Sequence, residues 1–87
     1  MELVTVHDTK YELVELFIDG DLYGGESSLA ELSLPPESTI TMIVRKERII
    51  VPKGNTVIKP DDILSILVDE GMIADVTNHV LAKFEKR

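Results

Sequence analysis

The sequence predicts a small domain that combines a β-sheet with two helices, and three patterns lead to that prediction. Two apolar, β-branched runs at 40–44 and 49–51 flank a charged turn at 45–48, which is typical of an antiparallel hairpin. A third run at 63–68 follows turn residues and is almost entirely apolar, so we expect a last strand covered on both faces. Near the C-terminus, apolar residues recur at helical spacing and predict a closing helix that packs through Ile73, Val76, Val80 and Phe84.

The first half of the chain supplies another strand and a short helix. Residues 11–18 alternate, with Val14, Leu16 and Ile18 on one face. Ser28 and Glu31 have the spacing of a capping box, so a helix is expected to begin there and to stop before the two prolines at 35–36. Residues 1–10 form either an extra strand or a linker.

Length and composition limit the class of protein. A chain of 87 residues is one small domain, and such a domain gains stability from a partner surface, commonly a second copy. There is no cysteine, which excludes disulfides and thiolate chemistry. We find neither a signal-peptide pattern nor an apolar run near the roughly 18 residues of a membrane span, so a cytoplasmic domain is expected.

The net charge of -7 is unevenly distributed. Residues 1–40 contain nine acids and one base, whereas residues 41–87 contain eight bases and seven acids. An acidic surface repels phosphate backbones, so a nucleic-acid partner is not expected. We interpret the acidic half as a solvated surface.

Residues that could carry out chemistry are few. His7 and His79 lie far apart in the sequence, and we expect neither a metal site nor a cofactor. The pair Asp61-Asp62 is interpreted as a turn that leads into the last strand. The glycine-rich stretch at 20–25 fits neither a phosphate-binding loop nor a dinucleotide fingerprint. Without a nucleophile, base or metal cluster, the chain is not expected to be an enzyme.

The order of motifs resembles the TrkA-C domain, the C-terminal lobe of RCK (regulator of potassium conductance) modules. The resemblance runs from about residue 11 to 68: a Gly-x-x-Leu-x-Glu-Leu-type helix before a proline, an Ile-rich strand ending in Arg45, a strand reaching Val51-Pro52, a Gly-Asn-Thr turn, and an acid before the last strand. The sequence departs from the family pattern in two turns. Lys46-Glu47 replaces the glycine that is frequent in the hairpin turn, and Asp61 replaces the usual glycine before the turn acid.

The resemblance implies an α+β fold with a small mixed or antiparallel β-sheet, a short crossover helix and a C-terminal helix. It places the regulatory domain at residues 11–87. It also implies a homodimer that regulates a potassium (or cation/proton) channel or transporter subunit from the cytoplasmic side of the inner membrane. The nucleotide-binding lobe that usually precedes such domains is absent, so the chain is expected to be excised or freestanding and not to bind NAD or ATP through a Rossmann site.

Some members of this family bind cyclic di-AMP at the dimer interface, with apolar side chains on adenine and basic groups on phosphate. By that resemblance and by the basic turn, a small phosphorylated ligand is expected, and Arg45 and Arg48 are the expected phosphate ligands. A sheet core with a solvated turn is the alternative for these positions, and a dimerisation module without a small ligand is the alternative function. The candidate ligand-binding residues are Ile43, Arg45, Arg48, Ile49, Ile50, Val51 and Pro52.

Overall fold

An antiparallel β-sheet of five strands forms the body of the domain in the computed structural model, which describes residues 3–86. Met1 and Glu2, which belong to the predicted 1–10 segment, lie outside the described residues. The strand order is β1-β2-β7-β4-β5, so the last strand of the chain lies at the centre of the sheet. The five strands are β1 (Leu3–Thr5), β2 (Tyr11–Phe17), β4 (Ser38–Arg45), β5 (Arg48–Ile50) and β7 (Ile63–Asp69).

Of the two alternatives for the N-terminal segment, the structure contains the strand, because β1 pairs antiparallel with β2. The predicted hairpin is confirmed, since β4 and β5 are antiparallel neighbours. The expected α+β class is also confirmed, with an antiparallel sheet, a short helix and a C-terminal helix. The boundary of the regulatory domain at residue 11 stays a prediction.

The short helix α1 (Leu29–Leu32) begins at the predicted capping box. The Ser28 hydroxyl accepts a hydrogen bond from the Glu31 amide, and the Glu31 carboxylate accepts one from the Ser28 amide, each at 3.1 Å. The helix ends at Ser33, whose φ of 48° is left-handed. Just before α1, the strands β3 (Ser27–Ser28) and β6 (Val57–Ile58) form a separate two-stranded sheet.

The closing helix α2 (Ile73–Ala82) follows a 3₁₀ turn at Glu70–Met72. Asp69 caps that turn, accepting a hydrogen bond from the Gly71 amide at 2.8 Å, and α2 itself continues from it. The predicted stripe is confirmed for Val76 and Val80, which are fully buried, and for the partly buried Ile73. Phe84 is also fully buried, although it lies in the turn beyond the end of the helix. Across to α1, the Leu32 carbonyl accepts a hydrogen bond from His79 Nε2 at 2.6 Å.

The hydrophobic core lies on one face of the sheet, which we call the inner face. The helices contribute Leu32, Val76 and Val80, and the small sheet contributes Ile58. The prediction that β7 is covered on both faces is wrong for this chain alone, because only alternate residues of β7 are fully buried. The sheet strands contribute Val14, Leu16, Ile40, Ile43, Leu64, Ile66 and Val68 to the core.

Candidate functional site

The β4–β5 hairpin carries a cavity of about 520 Å³ that we call the hairpin cavity. It is lined by three basic residues and two isoleucines, and it opens to solvent beside the exposed edge strand β5. The basic groups can attract an anion, and the isoleucines can pack against an apolar ring. The lining residues are Arg45, Lys46, Arg48, Ile49 and Ile50.

Two residues at the tip of the hairpin have left-handed backbones. Lys46 has φ 48° and Glu47 has φ 68°, the two positive values of a type I′ turn. This turn twists in the same sense as the flanking strands, so Arg45 and Arg48 are paired across it. Glycine would suit this turn better, because a side chain in this conformation costs energy.

Arg45 is held by a buried carboxylate, which the sequence did not indicate. Its Nε donates to Asp62 Oδ1 and its Nη2 to Asp62 Oδ2, both at 2.8 Å. Nη2 also donates to the carbonyl of Val57 in β6, at 2.7 Å. The hydrogen bonds that Arg45 donates to Asp62 raise the pKa of the Arg45 guanidinium above its ordinary value. Arg45 is therefore a permanent cation with two of its three nitrogens already committed.

Asp62 has the environment of a structural residue. Its side chain is 1% exposed, and Oδ2 accepts a third hydrogen bond, from the Lys59 amide at 2.9 Å. The neighbouring Asp61 has φ 72°, and its Oδ1 accepts a hydrogen bond from the Gly20 amide at 2.8 Å. An aspartate thus occupies a backbone conformation that favours glycine and uses its carboxylate to join the turn to the 19–21 loop. The Asp61-Asp62 pair forms the predicted turn before β7.

The structure brings together four of the seven predicted ligand-binding residues. Arg45, Arg48, Ile49 and Ile50 line the hairpin cavity together with Lys46, which belongs to the predicted charged turn but was not among the seven. Ile43 is fully buried in the core on the inner face. The remaining two lie just beyond β5, where Val51 is 74% exposed and Pro52 is half-buried.

A second cavity, of about 320 Å³, shares Arg45 and Lys46 with the first. Its other lining residues are in the turn before β7: Lys59, Pro60, Asp61 and Asp62. Within residues 3–86, no three histidine, aspartate or glutamate side chains gather to hold a metal ion. In the same part of the chain, no helix is long and apolar enough to cross a bilayer.

Comparison with known proteins agrees with this architecture. The family model of the TrkA-C domain matches residues 26–81, which is more than half of the chain and reaches into α2. A solved structure described as an RCK domain with cda has a similar fold, with a TM-score of 0.62 and 18% sequence identity, covering 77% of this chain and 94% of that one. No curated protein matches the sequence.

The fold and the family match define the class of protein. It is a small α+β domain whose fold is similar to that of a solved RCK domain. The chain belongs to the TrkA-C domain family, which points to a regulatory role in potassium transport systems. The resemblance seen in the motifs is thereby confirmed, although the family model begins later than residue 11 and extends beyond residue 68.

Proposed function

We propose that this domain is the ligand-sensing and dimerising lobe of a potassium (or cation/proton) transport system, and that it acts on the cytoplasmic side through a membrane-embedded channel or transporter subunit. The observation that carries the proposal is the hairpin cavity of a TrkA-C domain. Three cations surround two isoleucines there, in a chain whose net charge is -7. A phosphorylated ligand with apolar rings suits this combination.

The ligand class follows from the lining of the cavity. Arg48 and Lys46 are exposed and can turn toward a phosphate, whereas Arg45 is tied to Asp62 and supplies fixed positive charge. Ile49 is 68% exposed and offers an apolar surface to a base. A symmetric dinucleotide such as cyclic di-AMP would meet these groups twice in a dimer, because an isologous interface presents each residue twice. The similar RCK domain was solved with cda, which supports this choice.

Regulation requires that the ligand bind one conformation of the transport system more tightly than the other. A site shared by two protomers provides such a difference, because ligand binding then depends on how the lobes are arranged. The transporter would respond to that arrangement.

Titration calorimetry with cyclic di-AMP tests the ligand. We expect heat of binding with the wild-type domain and a loss of at least about tenfold in affinity with Arg48→Ala, since a phosphate contact is charge-assisted. Lys53→Ala is the matched control, because Lys53 is an exposed base outside the hairpin cavity. Absence of heat at about 1 mM ligand, the range of a -4 kcal/mol interaction, would contradict the ligand.

A dimerisation module without a small ligand is the second candidate function. The feature that favours it is the apolar face of the sheet opposite the core, where Phe17 is 50% exposed. A dimer that forms normally and gives no heat with cyclic di-AMP would support this candidate instead.

A further inference from the structure

Strand β5 has an open edge whose backbone groups point to solvent. It is the last strand in the order of the sheet and pairs with β4 along its other edge. In an antiparallel pair, residues that exchange hydrogen bonds alternate with residues whose amides and carbonyls point away from the partner strand. Arg45 and Arg48 flank a two-residue turn and therefore exchange hydrogen bonds. The amide and carbonyl of Ile49, the next residue, consequently point to solvent.

The open edge continues for one residue beyond β5. By the same alternation the backbone of Val51 points in the same direction as that of Ile49. Within residues 3–86, the amide and carbonyl of Val51 form no hydrogen bond with other backbone groups. Pro52 then ends the edge, because proline has no amide to donate. Ile49 and Val51 thus offer both donors and acceptors at the spacing that an added strand requires.

The side chains along this edge are apolar and exposed. Ile49 is 68% exposed and Val51 is 74% exposed, and their spacing of two residues places both on the face opposite the core. Ile50 lies on the inner face, since it is paired with the buried Ile43. The hairpin cavity is lined by Ile49 and Ile50 together, so it lies alongside the edge of the strand and not over one face. A further strand would pack in this space, about 4.8 Å from β5.

Basic residues stand at the two ends of the open edge. Residues 45–53 contain four bases and one acid, in a chain whose net charge is -7. Lys46 and Arg48 are exposed at one end and Lys53 is exposed at the other, whereas Ile49 and Val51 between them are uncharged. A charge in the middle of an edge strand prevents pairing with other chains. Charges at the ends instead leave the backbone accessible and attract a segment of opposite charge.

We propose that the open edge of β5 binds an extended, acidic segment of a partner protein, which adds a sixth strand to the five-stranded sheet. The segment pairs through its backbone with Ile49 and Val51. Its side chains alternate: apolar ones lie beside Ile49 and Val51, and an acidic one lies beside Arg48 on the inner face. The β5 strand of a second copy fits this edge poorly, because it would bring like charges together.

Fluorescence anisotropy with a short, labelled peptide of alternating valine and glutamate tests the site. We expect the wild-type domain to bind this peptide at least about tenfold more tightly than a peptide in which lysine replaces glutamate, since the ends of the edge are basic. No nucleotide is present in the measurement. Failure of cyclic di-AMP to bind would therefore contradict the proposed ligand and leave the peptide site unaffected.

Proline substitution tests the edge itself. Ile49→Pro removes an amide that points to solvent and leaves the hydrogen bonds to β4 in place, so peptide affinity should fall at least about tenfold. Thr5→Pro is the matched control in β1, at the opposite edge of the sheet, and should bind like wild type. There the Val6 amide donates to the Tyr11 carbonyl at 2.9 Å, so the Thr5 amide also points to solvent. Circular dichroism verifies folding, and Arg48→Glu is the second variant if Ile49→Pro unfolds.

Amide hydrogen exchange provides an independent measurement. In the free domain the amides of Ile49 and Val51 should exchange much faster than that of Ile50, and saturating peptide should slow their exchange. A wild-type domain that does not bind the acidic peptide, or that binds it without slowing these two amides, would overturn the proposal. Protection that increases with protein concentration in the absence of peptide would overturn it in favour of a second copy at this edge.

Discussion

Arg45 and Asp62 continue the pairing of β4 with β7 beyond the last pair of strand residues. Val44 is paired with Ile63, and the next residue outward on each strand joins the other through two hydrogen bonds of 2.8 Å. The Arg45–Asp62 side-chain pair therefore joins the two chain segments at the position that follows the Val44–Ile63 pair. Because Arg45 also donates to Val57, it ties β6 to the same end of the sheet.

Removal of Arg45 should destabilise the domain. Arg45→Ala leaves the buried Asp62 carboxylate without its cation, and we expect the free energy of unfolding to fall by about 3 kcal/mol. Urea denaturation measures the change. Arg48→Ala is the control: Arg48 is exposed, and its loss should cost less than about 0.5 kcal/mol. Equal stability of the two variants would mean that another group compensates the buried charge of Asp62. Because Arg48→Ala should leave the fold almost unchanged, Arg48 is the better residue for testing ligand binding.

Phe84 should be one of the most costly side chains to truncate. It is fully buried beyond α2, and its carbonyl accepts a hydrogen bond from the Gly24 amide at 2.8 Å. We expect Phe84→Ala to lower the free energy of unfolding by about 3–5 kcal/mol. Leu22→Ala, at a position that is 65% exposed, should stay within about 0.5 kcal/mol of wild type. A Phe84→Ala variant with wild-type stability would show that the C-terminal segment does not pack in solution as described.

Residues that favour the left-handed backbone of the hairpin turn should stabilise the domain. Replacing Lys46-Glu47 with Asn-Gly supplies the residues that a type I′ turn favours and should raise the free energy of unfolding by about 1 kcal/mol. Thr39→Gly is the opposite control, because Thr39 is an exposed residue within β4, and the substitution should cost roughly 0.5–1 kcal/mol. If Asn-Gly gave no gain, the left-handed backbone at the tip would not be the strained element.

Gly20 and Asp61 should be energetically coupled. A methyl group on Gly20 would lie 2.8 Å from Asp61 Oδ1, the same oxygen that accepts the Gly20 amide. Gly20→Ala should therefore cost about 1 kcal/mol in the wild type. It should cost clearly less in an Asp61→Gly background, which removes the carboxylate and relieves the positive φ. If Gly20→Ala lowered the free energy of unfolding equally in both backgrounds, the contact with the Asp61 carboxylate would not be the reason that a side chain is excluded at Gly20.

The capping box should make α1 sensitive to acid. The Ser28 hydroxyl, and after it the Ser28 amide, lowers the pKa of the Glu31 carboxyl. A carboxyl whose folded pKa is lowered stabilises the fold above its unfolded pKa of about 4.3 and loses that contribution as the pH falls through the folded value. An NMR titration should find the Glu31 pKa higher in Ser28→Ala than in wild type. An unchanged Glu31 pKa would show that Ser28 does not cap the helix in solution.

Elements governed by local chemistry could be predicted from the sequence. The Ser28 and Glu31 spacing located the start of α1, and the spacing of Val76 and Val80 located the buried side of α2. The TrkA-C motifs identified the family because they record several such local features in order. Each of these signals depends on residues within a few positions of one another.

Features that depend on distant residues could not be predicted. Nothing around Arg45 indicates that its guanidinium binds Asp62, because the two meet only after β7 has paired with β4. The burial of Ile43 in the core also required the register of the whole sheet, which decides the face on which a strand residue lies. The apolar composition of β7 predicts cover on both faces, whereas the structure fully buries only alternate residues of that strand.

The central position of β7 determines when this sheet can be completed. β2 and β4 are made first, yet each pairs with β7, which leaves the ribosome after both of them. Until then the β1–β2 and β4–β5 pairs can form, whereas the edges of β2 and β4 that face β7 have no partner strand. Folding must therefore wait for a contact between distant parts of the chain, such as Phe17 with Ile63, and pairing over such distances is slow. A nascent chain halted before residue 63 would expose two hydrophobic edges with nothing to join them.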